Sequence, residues 1–262
     1  MTANRPAPYY QDEHVTLYHG DCLDVLPAIS GVDLVVTSPP YNLKMMPWTP
    51  LGSWTDGQAK GGGGKWSGSD GRGGVEYADH EDSMPWPDYE AWQKDVLSAL
   101  WGTLSDSGAI FYNHKPRLAG EKVWLPLALN PDLPLRQIII WARQGGLNYN
   151  PTAYMPTHEW IMVLAKSAFR LKSKGASGVG DVWAIPQERG NDHPAPFPIG
   201  IPARAIETTA PSLVLDPFAG SGTTLRAAVD AGVKAIGVEK SERYCEVIVK
   251  RLSQGAFDLA GA

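Results

Sequence analysis

The chain has 262 residues, of which 43% are hydrophobic and 19% are charged, and its formal net charge at pH 7 is −5. This length and composition allow a full hydrophobic core and fit one α/β domain. No apolar run is long enough to span a membrane and the N-terminus lacks the apolar core of a signal peptide, so we expect a cytosolic protein with no membrane partner. The negative charge excludes a protein coated in positive potential, but a local basic face that binds nucleic acid remains compatible with it.

Strand-like and helix-like segments alternate along the whole chain. Seven apolar segments predict strands: VTLYH (15–19), DLVVTS (33–38), GAIFYN (108–113), RQIIIWA (136–142), HEWIMVLAK (158–166), SLVLD (212–216) and KAIGVE (234–239). Helical patterns begin at Tyr89, Pro202, Thr223 and Glu242, and Gly232 is placed to end the third of them. This alternation predicts one domain over residues 1–262, with a mostly parallel sheet covered by helices on both faces.

A glycine-rich and tryptophan-rich insertion at 44–87 breaks the alternation. Such a loop is either a solvated linker or a functional segment. In the functional case it becomes ordered on DNA, with Lys60, Lys65 and Arg72 on phosphates.

A second, shorter break, SKGASGVGD (173–181), follows a basic run at the end of a predicted strand. The basic residues here, Lys166, Arg170, Lys172 and Lys174, predict either a solvated strand end or a DNA contact.

The composition gives no sign of a metal site. Cys22 and Cys245 are far apart and lack a clustered histidine partner, so packing is the expected role of both. His158 and Glu159 are adjacent in a predicted strand, where neighbouring side chains face opposite sides of the sheet and cannot easily share an ion. Packing and hydrogen bonding are expected of this pair.

Two chemically informative corners follow predicted strands. In TSPPYN the two prolines stiffen the backbone directly behind an apolar run. In DPFAGSGTT, Gly220 and Gly222 allow the backbone to approach a ligand, and the following helix offers free N–H groups to it. The second corner lacks the lysine of a P-loop, and Glu239 at the end of the next strand is placed to accept hydrogen bonds from ribose. Together these features predict a nucleoside-containing cofactor.

The two corners together resemble the amino-methyltransferases of DNA, which move a methyl group from S-adenosylmethionine to N6 of adenine or N4 of cytosine. Ser38–Tyr41 matches the catalytic motif of that family, and Phe218, Gly220 and Gly222 match its glycine motif. The catalytic corner comes first here, which is similar to the circularly permuted group called β. In the related glutamine methyltransferases of proteins, the Pro-Pro corner follows the glycine motif instead.

Two further segments extend the resemblance. GDCLDVLPAI (20–29) is similar to the segment whose aspartate contacts the cofactor adenine, here Asp21, with capping of a helix as the alternative role. NDHPAPFPIGIPARAIE (191–207) is similar to the motif that holds the methionine end of the cofactor. The resemblance thus implies a cofactor site formed by Asp21, His193, Pro194, Asp216, Phe218, Ala219, Gly220, Ser221, Gly222, Thr223 and Glu239.

The resemblance also implies a fold and a mechanism. The family fold is a single Rossmann-like domain, in which the predicted strands take the order 15–19, 234–239, 212–216, 33–38, 108–113, 158–166 and 136–142. The corner residues are then catalytic: the Ser38 side chain and the Pro39 carbonyl accept hydrogen bonds from the target amino group, Pro40 stiffens the backbone, and Tyr41 stacks on a base flipped out of double-stranded DNA. The corner has no cysteine, so methyl transfer is expected to be direct.

The sequence departs from the family where a target-recognition domain is usually inserted. Too few residues separate HEWIMVLAK from DVWAIP for such a domain, so we expect a minimal target-recognition segment near 166–181. Whether recognition is site-specific, whether a restriction endonuclease accompanies the chain, and its oligomeric state are left open.

The target base depends on residue 38. Serine at this position is commoner among cytosine-N4 enzymes than among adenine-N6 enzymes, although Asn42 after Tyr41 is also frequent among adenine-N6 members. We therefore expect a cytosine-N4 DNA methyltransferase, with adenine-N6 as the alternative. A methyltransferase of RNA or protein and a non-catalytic nucleotide-binding module are less favoured, because of the motif order and the intact catalytic corner.

Overall fold

A computed structural model of the chain describes residues 6–42, 84–119, 122–143, 153–187 and 198–258. The strands in these residues are Tyr10–Gln11 (β1), Val15–His19 (β2), Val32–Thr37 (β3), Leu104–His114 (β4), Arg117–Ala119 (β5), Lys122–Trp124 (β6), Leu135–Ala142 (β7), His158–Ala165 (β8), Val182–Ala184 (β9), Leu213–Asp216 (β10) and Lys234–Glu239 (β11). The α-helices are Cys22–Val25 (α1), Trp86–Thr103 (α2), Lys174–Ser177 (α3), Gly200–Thr209 (α4), Thr223–Asp230 (α5) and Glu242–Asp258 (α6). Short 3₁₀ turns lie at Leu26–Ala28 and Pro126–Leu129.

The main sheet has nine strands in the order β1-β2-β11-β10-β3-β4-β8-β7-β9. Its seven inner strands are the seven expected from the sequence, in the expected order. The five strands from β2 to β4 are parallel, and β8 runs antiparallel to both β4 and β7. The sequence did not indicate the short edge strands β1 and β9 or the separate hairpin β5–β6.

Helices cover both faces of this sheet. One face carries a core formed with α4, α5 and α6, and the other carries a core formed with α1 and α2. In β3 the side chains alternate accordingly, because Leu34 and Val36 belong to the first core and Val35 to the second. The expected α/β architecture with a mostly parallel sheet is confirmed. Both cysteines are buried in these cores, as expected of packing residues.

Helix α2 begins earlier than the sequence suggested. Trp86 was expected within the insertion, but it is buried in the first turn of α2, and a proline follows it where a helix tolerates proline. Residues Tyr89, Val96 and Leu100 continue the same buried stripe at helical spacing. The insertion therefore ends before Trp86. Among the helices of the described residues, none is long and apolar enough to cross a membrane.

The fold brings the two informative corners together. Strands β10 and β3 are adjacent and parallel, with Val214 opposite Leu34 and Leu215 opposite Val35. Their carboxyl ends therefore meet at one edge of the sheet. This is where ligands bind in open α/β sheets.

Candidate active site

The residues Asp216–Thr223, here called the cofactor corner, form a tight turn between β10 and α5. Gly220 and Gly222 have positive φ angles of 53° and 80°, a region that disfavours other residues. The Gly222 amide closes the turn by donating to the Ala219 carbonyl at 2.7 Å. Arg251 supports it from α6, since its Nη1 donates to the Ser221 carbonyl and to Thr223 Oγ1, each at 3.1 Å.

Glu239 lies beside this turn at the end of β11. Its Oε2 accepts from the Gly220 amide and its Oε1 from the Ser241 amide, both at 2.8 Å. Each carboxylate oxygen keeps a lone pair for a ligand hydroxyl. Burial raises the pKa of Glu239 above its ordinary value. Ser241 Oγ is buried nearby and has no hydrogen-bond partner among the described residues, so this edge offers polar atoms that a ribose would satisfy.

Asp21 adopts the capping role that was left as an alternative. Its Oδ1 accepts from the Leu23 amide at 3.0 Å at the start of α1, and its Oδ2 pairs with Lys240 Nζ at 3.3 Å. The preceding Gly20 amide donates to the Glu239 carbonyl at 2.9 Å. Asp21 therefore caps a helix at the same edge of the sheet as Glu239.

Asp216 connects the cofactor corner to β3, the strand that ends directly before Ser38. Its Oδ1 accepts from Thr37 Oγ1 at 2.8 Å and from the Phe218 amide at 3.1 Å. Burial raises the pKa of Asp216 from 3.8 to about 6, although these hydrogen bonds oppose the shift. Thr37 directly precedes Ser38, so this carboxyl group lies between the two corners.

The catalytic corner, Ser38–Asn42, is held by donors from distant elements. Tyr89 Oη donates to the Pro40 carbonyl at 2.8 Å, and Arg117 Nη1 donates to the Tyr41 and Asn42 carbonyls at 3.0 Å each. Among the described residues, none donates to the Pro39 carbonyl. The carbonyls of Pro40, Tyr41 and Asn42 are thus bonded to the interior.

Asn42 ends the corner in a left-handed conformation. Its φ angle is 54°, its side chain is fully buried, and its Nδ2 donates to the Met84 carbonyl at 2.8 Å. Asparagine tolerates this backbone region better than most residues. The need for a positive φ thus explains the asparagine after Tyr41 without reference to a target base.

Tyr41 is only 8% exposed, and its ring packs against His114 with centroids 4.5 Å apart. Its hydroxyl group lies 2.9 Å from Ser38 Oγ and donates to Glu159 Oε2 at 3.1 Å. Asn113 Nδ2 donates to the same Tyr41 oxygen and to Glu159 Oε2. Sequence reasoning missed Asn113 and His114, although both follow the apolar part of β4 beside the catalytic strand.

Sequence reasoning also assigned no site role to Glu159. As expected of neighbours in a strand, His158 and Glu159 face opposite sides, since His158 is exposed and Glu159 is buried. Glu159 faces the catalytic corner and pairs with Arg143 at 3.1 Å. An acidic residue within an otherwise apolar strand stands out in the sequence, but it does not reveal the contact with the catalytic corner.

His114 is a neutral structural group. It is fully buried, and burial lowers its pKa from 6.5 to about 3. Its Nδ1 accepts from the Lys115 amide at 2.9 Å, and its Nε2 lies 2.8 Å from Tyr89 Oη. A neutral imidazole that accepts at Nδ1 carries its proton at Nε2 and so donates to Tyr89.

The basic segment near 166–181 lies away from the catalytic corner, and its predicted roles stay predictions. Because β8 runs antiparallel to β4, Ala165 pairs with Ala109, at the end of the sheet opposite the catalytic corner. Lys166 lies over the Trp101 ring there, with Nζ 4.1 Å from its centroid. The fold therefore does not bring Lys166, Arg170, Lys172 and Lys174 to the active site, and their position gives no support to DNA contact or target recognition.

Several other predicted site residues lie outside the described residues. They are His193 and Pro194 of the cofactor set and Lys60, Lys65 and Arg72 of the insertion. Their roles stay predictions.

Comparison with known proteins agrees with this geometry. The model of the DNA methylase family N6_N4_Mtase matches residues 32–250. The type II methyltransferase M.ScaI of Streptomyces caespitosus is 30% identical over 280 residues, which cover 96% of this chain and 86% of that protein.

Two solved structures are similar in fold. The DNA modification methylase TTHA0409 of Thermus thermophilus, complexed with S-adenosyl-L-methionine, matches with a TM-score of 0.63 and 24% identity, over 91% of this chain and 93% of that one. The cytosine-N4-specific PvuII DNA methyltransferase matches with a TM-score of 0.67 and 16% identity, over 92% and 87% of the two chains. With both motifs at one sheet edge and a family match over most of its length, this chain belongs to the DNA methylase family and is an S-adenosylmethionine-dependent amino-methyltransferase of DNA.

Proposed function

We propose that this enzyme methylates N4 of cytosine, and that Ser38 Oγ and the Pro39 carbonyl oxygen are the two acceptors that bind the target amino group. The observation that carries these roles is the pattern of hydrogen bonds in the catalytic corner. The carbonyls of Pro40, Tyr41 and Asn42 are occupied by Tyr89 and Arg117. Ser38 and Pro39 are thereby left as the acceptors that face a ligand.

Two fixed acceptors suit the chemistry of an exocyclic amino group. Its nitrogen lone pair is delocalised into the ring of the base, which makes it a weak nucleophile. Acceptors on both N–H bonds favour the tetrahedral geometry in which the lone pair becomes available. S-adenosylmethionine, when bound, supplies a methyl group on a positively charged sulfur. Because the acceptors are held by the interior before the reaction, little reorganisation is needed during it.

The cofactor is assigned to the edge formed by Glu239 and the cofactor corner. Glu239 accepts the ribose hydroxyls, and Asp21 lies where it meets the adenine. The positive-φ glycines allow close approach of the backbone, and Asp216 stands between this site and the catalytic strand. His193 and Pro194 complete the proposed set at the methionine end.

The preference for cytosine rests on Ser38 and on the explanation of Asn42. Serine in the first motif position is the commoner choice among cytosine-N4 enzymes. From the sequence alone, Asn42 is an argument for adenine as the target base. Its left-handed backbone conformation, however, explains the asparagine without reference to the base. The similarity to PvuII methyltransferase, at 16% identity, concerns the fold alone and adds nothing to this choice.

The proposed substrate is double-stranded DNA, whose target nucleotide is flipped out toward Tyr41. Lys115 directly follows β4 and lies at the same edge of the sheet as the catalytic corner, with Nζ 5.6 Å from the centroid of the Tyr41 ring. We assign phosphate contact to Lys115 together with Lys60, Lys65 and Arg72 of the insertion. Protection of DNA from a partner endonuclease is the biological role that the type II name of M.ScaI suggests.

The test is to methylate duplex DNA with the purified protein, digest the product to nucleosides and identify the modified one by mass spectrometry. N4-methylcytosine is the expected product. N6-methyladenine alone would overturn the choice of base while leaving the acceptor roles intact. 5-Methylcytosine would overturn the mechanism, because methylation of a ring carbon requires a nucleophile that the corner lacks. Parallel reactions with RNA and protein test the preference for DNA.

A further inference from the structure

A continuous chain of hydrogen bonds leads from Ser38 into the protein. Ser38 Oγ lies 2.9 Å from Tyr41 Oη, Tyr41 Oη lies 3.1 Å from Glu159 Oε2, and Glu159 Oε1 lies 3.1 Å from Arg143 Nη1. Glu159 is 5% exposed and Tyr41 is 8% exposed, so both are largely shielded from water. Three separate strands or strand ends supply these residues.

The Glu159 carboxylate, at the inner end of this series of hydrogen bonds, determines which group donates and which accepts in each of them. A carboxylate oxygen only accepts hydrogen bonds, so the single hydrogen of the Tyr41 hydroxyl points to Glu159. Asn113 Nδ2 also donates to Tyr41 Oη, which must then accept on its remaining side. The hydrogen of Ser38 consequently points to Tyr41. Both lone pairs of Ser38 Oγ are then directed away from its own hydrogen and toward the site.

Direction matters because a serine hydroxyl can either donate or accept. An amino group presents hydrogens to the corner, so a Ser38 hydrogen turned outward would meet them and repel the nucleophile. A family member with aspartate at this position would have an acceptor in either orientation. With serine, some other group must determine the orientation.

We propose that Glu159 is a positioning residue that fixes the Ser38 hydroxyl as a hydrogen-bond acceptor for the target amino group, an inference that rests on the proposed role of Ser38. Arg143 holds the Glu159 carboxylate in place, and Asn113 bridges Glu159 to the Tyr41 hydroxyl. Tyr41 therefore has a second role beside stacking, in which its hydroxyl group transmits the orientation from Glu159 to Ser38.

The test uses Glu159→Gln, Tyr41→Phe and the double variant in a steady-state assay of DNA methylation. Glutamine has nearly the same shape, but its amide can donate to Tyr41 and reverse the chain. We expect Glu159→Gln to lower kcat by about tenfold or more, less than the roughly 100-fold to 1000-fold loss of a direct contact, while KM for S-adenosylmethionine stays near the wild-type value. Tyr41→Phe keeps the ring and removes the link, so the double variant should be no slower than the slower single variant.

The matched control is Tyr10→Phe, which removes another tyrosine-to-carboxylate hydrogen bond, to Asp12 at 2.7 Å, at the far edge of the sheet. Its rate should equal that of the wild type. A wild-type kcat in Glu159→Gln beside a large loss in Ser38→Ala would overturn the inference and leave the proposed function standing. Additive losses in the double variant, or a fall in melting temperature and cofactor affinity that parallels the rate, would also overturn it. Absence of amino-group methylation by the wild-type protein would instead refute the proposed function itself.

Discussion

The cofactor corner and the catalytic corner end neighbouring strands, but different kinds of contact hold them. In the cofactor corner, Gly222 bonds to Ala219, Phe218 to Asp216, Gly220 to Glu239 and Arg251 to Ser221, over at most 30 positions of the chain. The longer-range bond between Thr37 and Asp216 joins the two corners. The catalytic corner depends on Tyr89, Arg117 and Glu159, which lie 49, 76 and 118 positions from their partners. The first is therefore specified largely by local backbone geometry, and the second by tertiary structure.

Because different contacts hold the two corners, a substitution in one corner should leave the function of the other intact. The largest expected effect is that of Ser38→Ala, which removes one of the two proposed acceptors. We expect kcat to fall roughly 100-fold to 1000-fold, the range for losing one preorganised group that acts in the transition state. Cofactor affinity, measured by calorimetry, and melting temperature should stay near the wild-type values. Ser98→Ala, at an exposed position of α2, is the matched control. Parallel losses of stability and rate would show that the corner is only structural.

Asp216 is the point where the two corners are joined, and pH should reveal it. Burial raises its pKa from 3.8 to about 6, so between these values the folded state binds a proton that the unfolded state has released. The wild type should therefore lose stability as the pH rises through this window, and the loss should be complete above pH 6. Asp216→Asn cannot ionise. The difference between its free energy of unfolding and that of the wild type should therefore change in favour of the variant by up to about 3 kcal/mol as the pH rises across the window.

Urea denaturation of both proteins at a series of pH values measures this difference. Asp95→Asn, which changes an exposed aspartate on α2, serves as the control for the removal of one carboxylate. A difference between Asp216→Asn and the wild type that stays flat across the window would contradict the prediction. The variant keeps an oxygen that can accept from Thr37 and Phe218, so a collapse of the corner is not expected.

The same contrast explains what could be predicted from the sequence. The seven inner strands follow from short apolar runs, because a periodic pattern is visible in consecutive residues. Their order in the sheet was implied by the resemblance of the motifs to a known family. The turn after β10 was also predictable from consecutive residues, including its two glycines, Gly220 and Gly222, and the place of Glu239 at the end of the next strand. Glu159, Asn113 and Arg143 were not, because nothing near them in the sequence records a contact with residues 38–41.

The basic run from Lys166 to Lys174 shows the same limit of local sequence patterns. It is locally conspicuous, but its position depends on the direction of β8, and the antiparallel pairing with β4 carries it to the far end of the sheet. The edge strands β1 and β9 are too short, at two and three residues, for a periodic pattern to indicate them.

Glu239→Ala tests the cofactor corner, the one that is held largely by local contacts. It removes the acceptor of two backbone amides and the proposed ribose contacts. We expect the affinity for S-adenosylmethionine to fall roughly 10-fold to 100-fold, or about 1.4 to 2.8 kcal/mol, while kcat at saturating cofactor changes less. Calorimetric titration measures the affinity, and Glu242→Ala, an exposed acid in the first turn of α6, controls for the lost charge. Equal affinities in the wild type and Glu239→Ala would remove Glu239 from the cofactor site.

The smallest effect is expected at Asn42. At this residue the contribution of the local backbone conformation to stability can be separated from that of a tertiary hydrogen bond. Its backbone requires a positive φ, and its side chain donates to the Met84 carbonyl. Asn42→Gly keeps the backbone preference and loses the hydrogen bond, whereas Asn42→Ala loses both. Because the left-handed region costs a residue with a Cβ atom about 1 to 2 kcal/mol, Asn42→Ala should unfold with a free energy lower than that of Asn42→Gly by about 1 kcal/mol. Chemical denaturation of the two variants measures the difference. The kcat of Asn42→Gly should also lie nearer to the wild type, since the corner keeps its path between Tyr41 and Met84. If the two variants are equally stable, the positive φ does not explain the asparagine at this position. Asn42 would then again count as an argument for adenine as the target base.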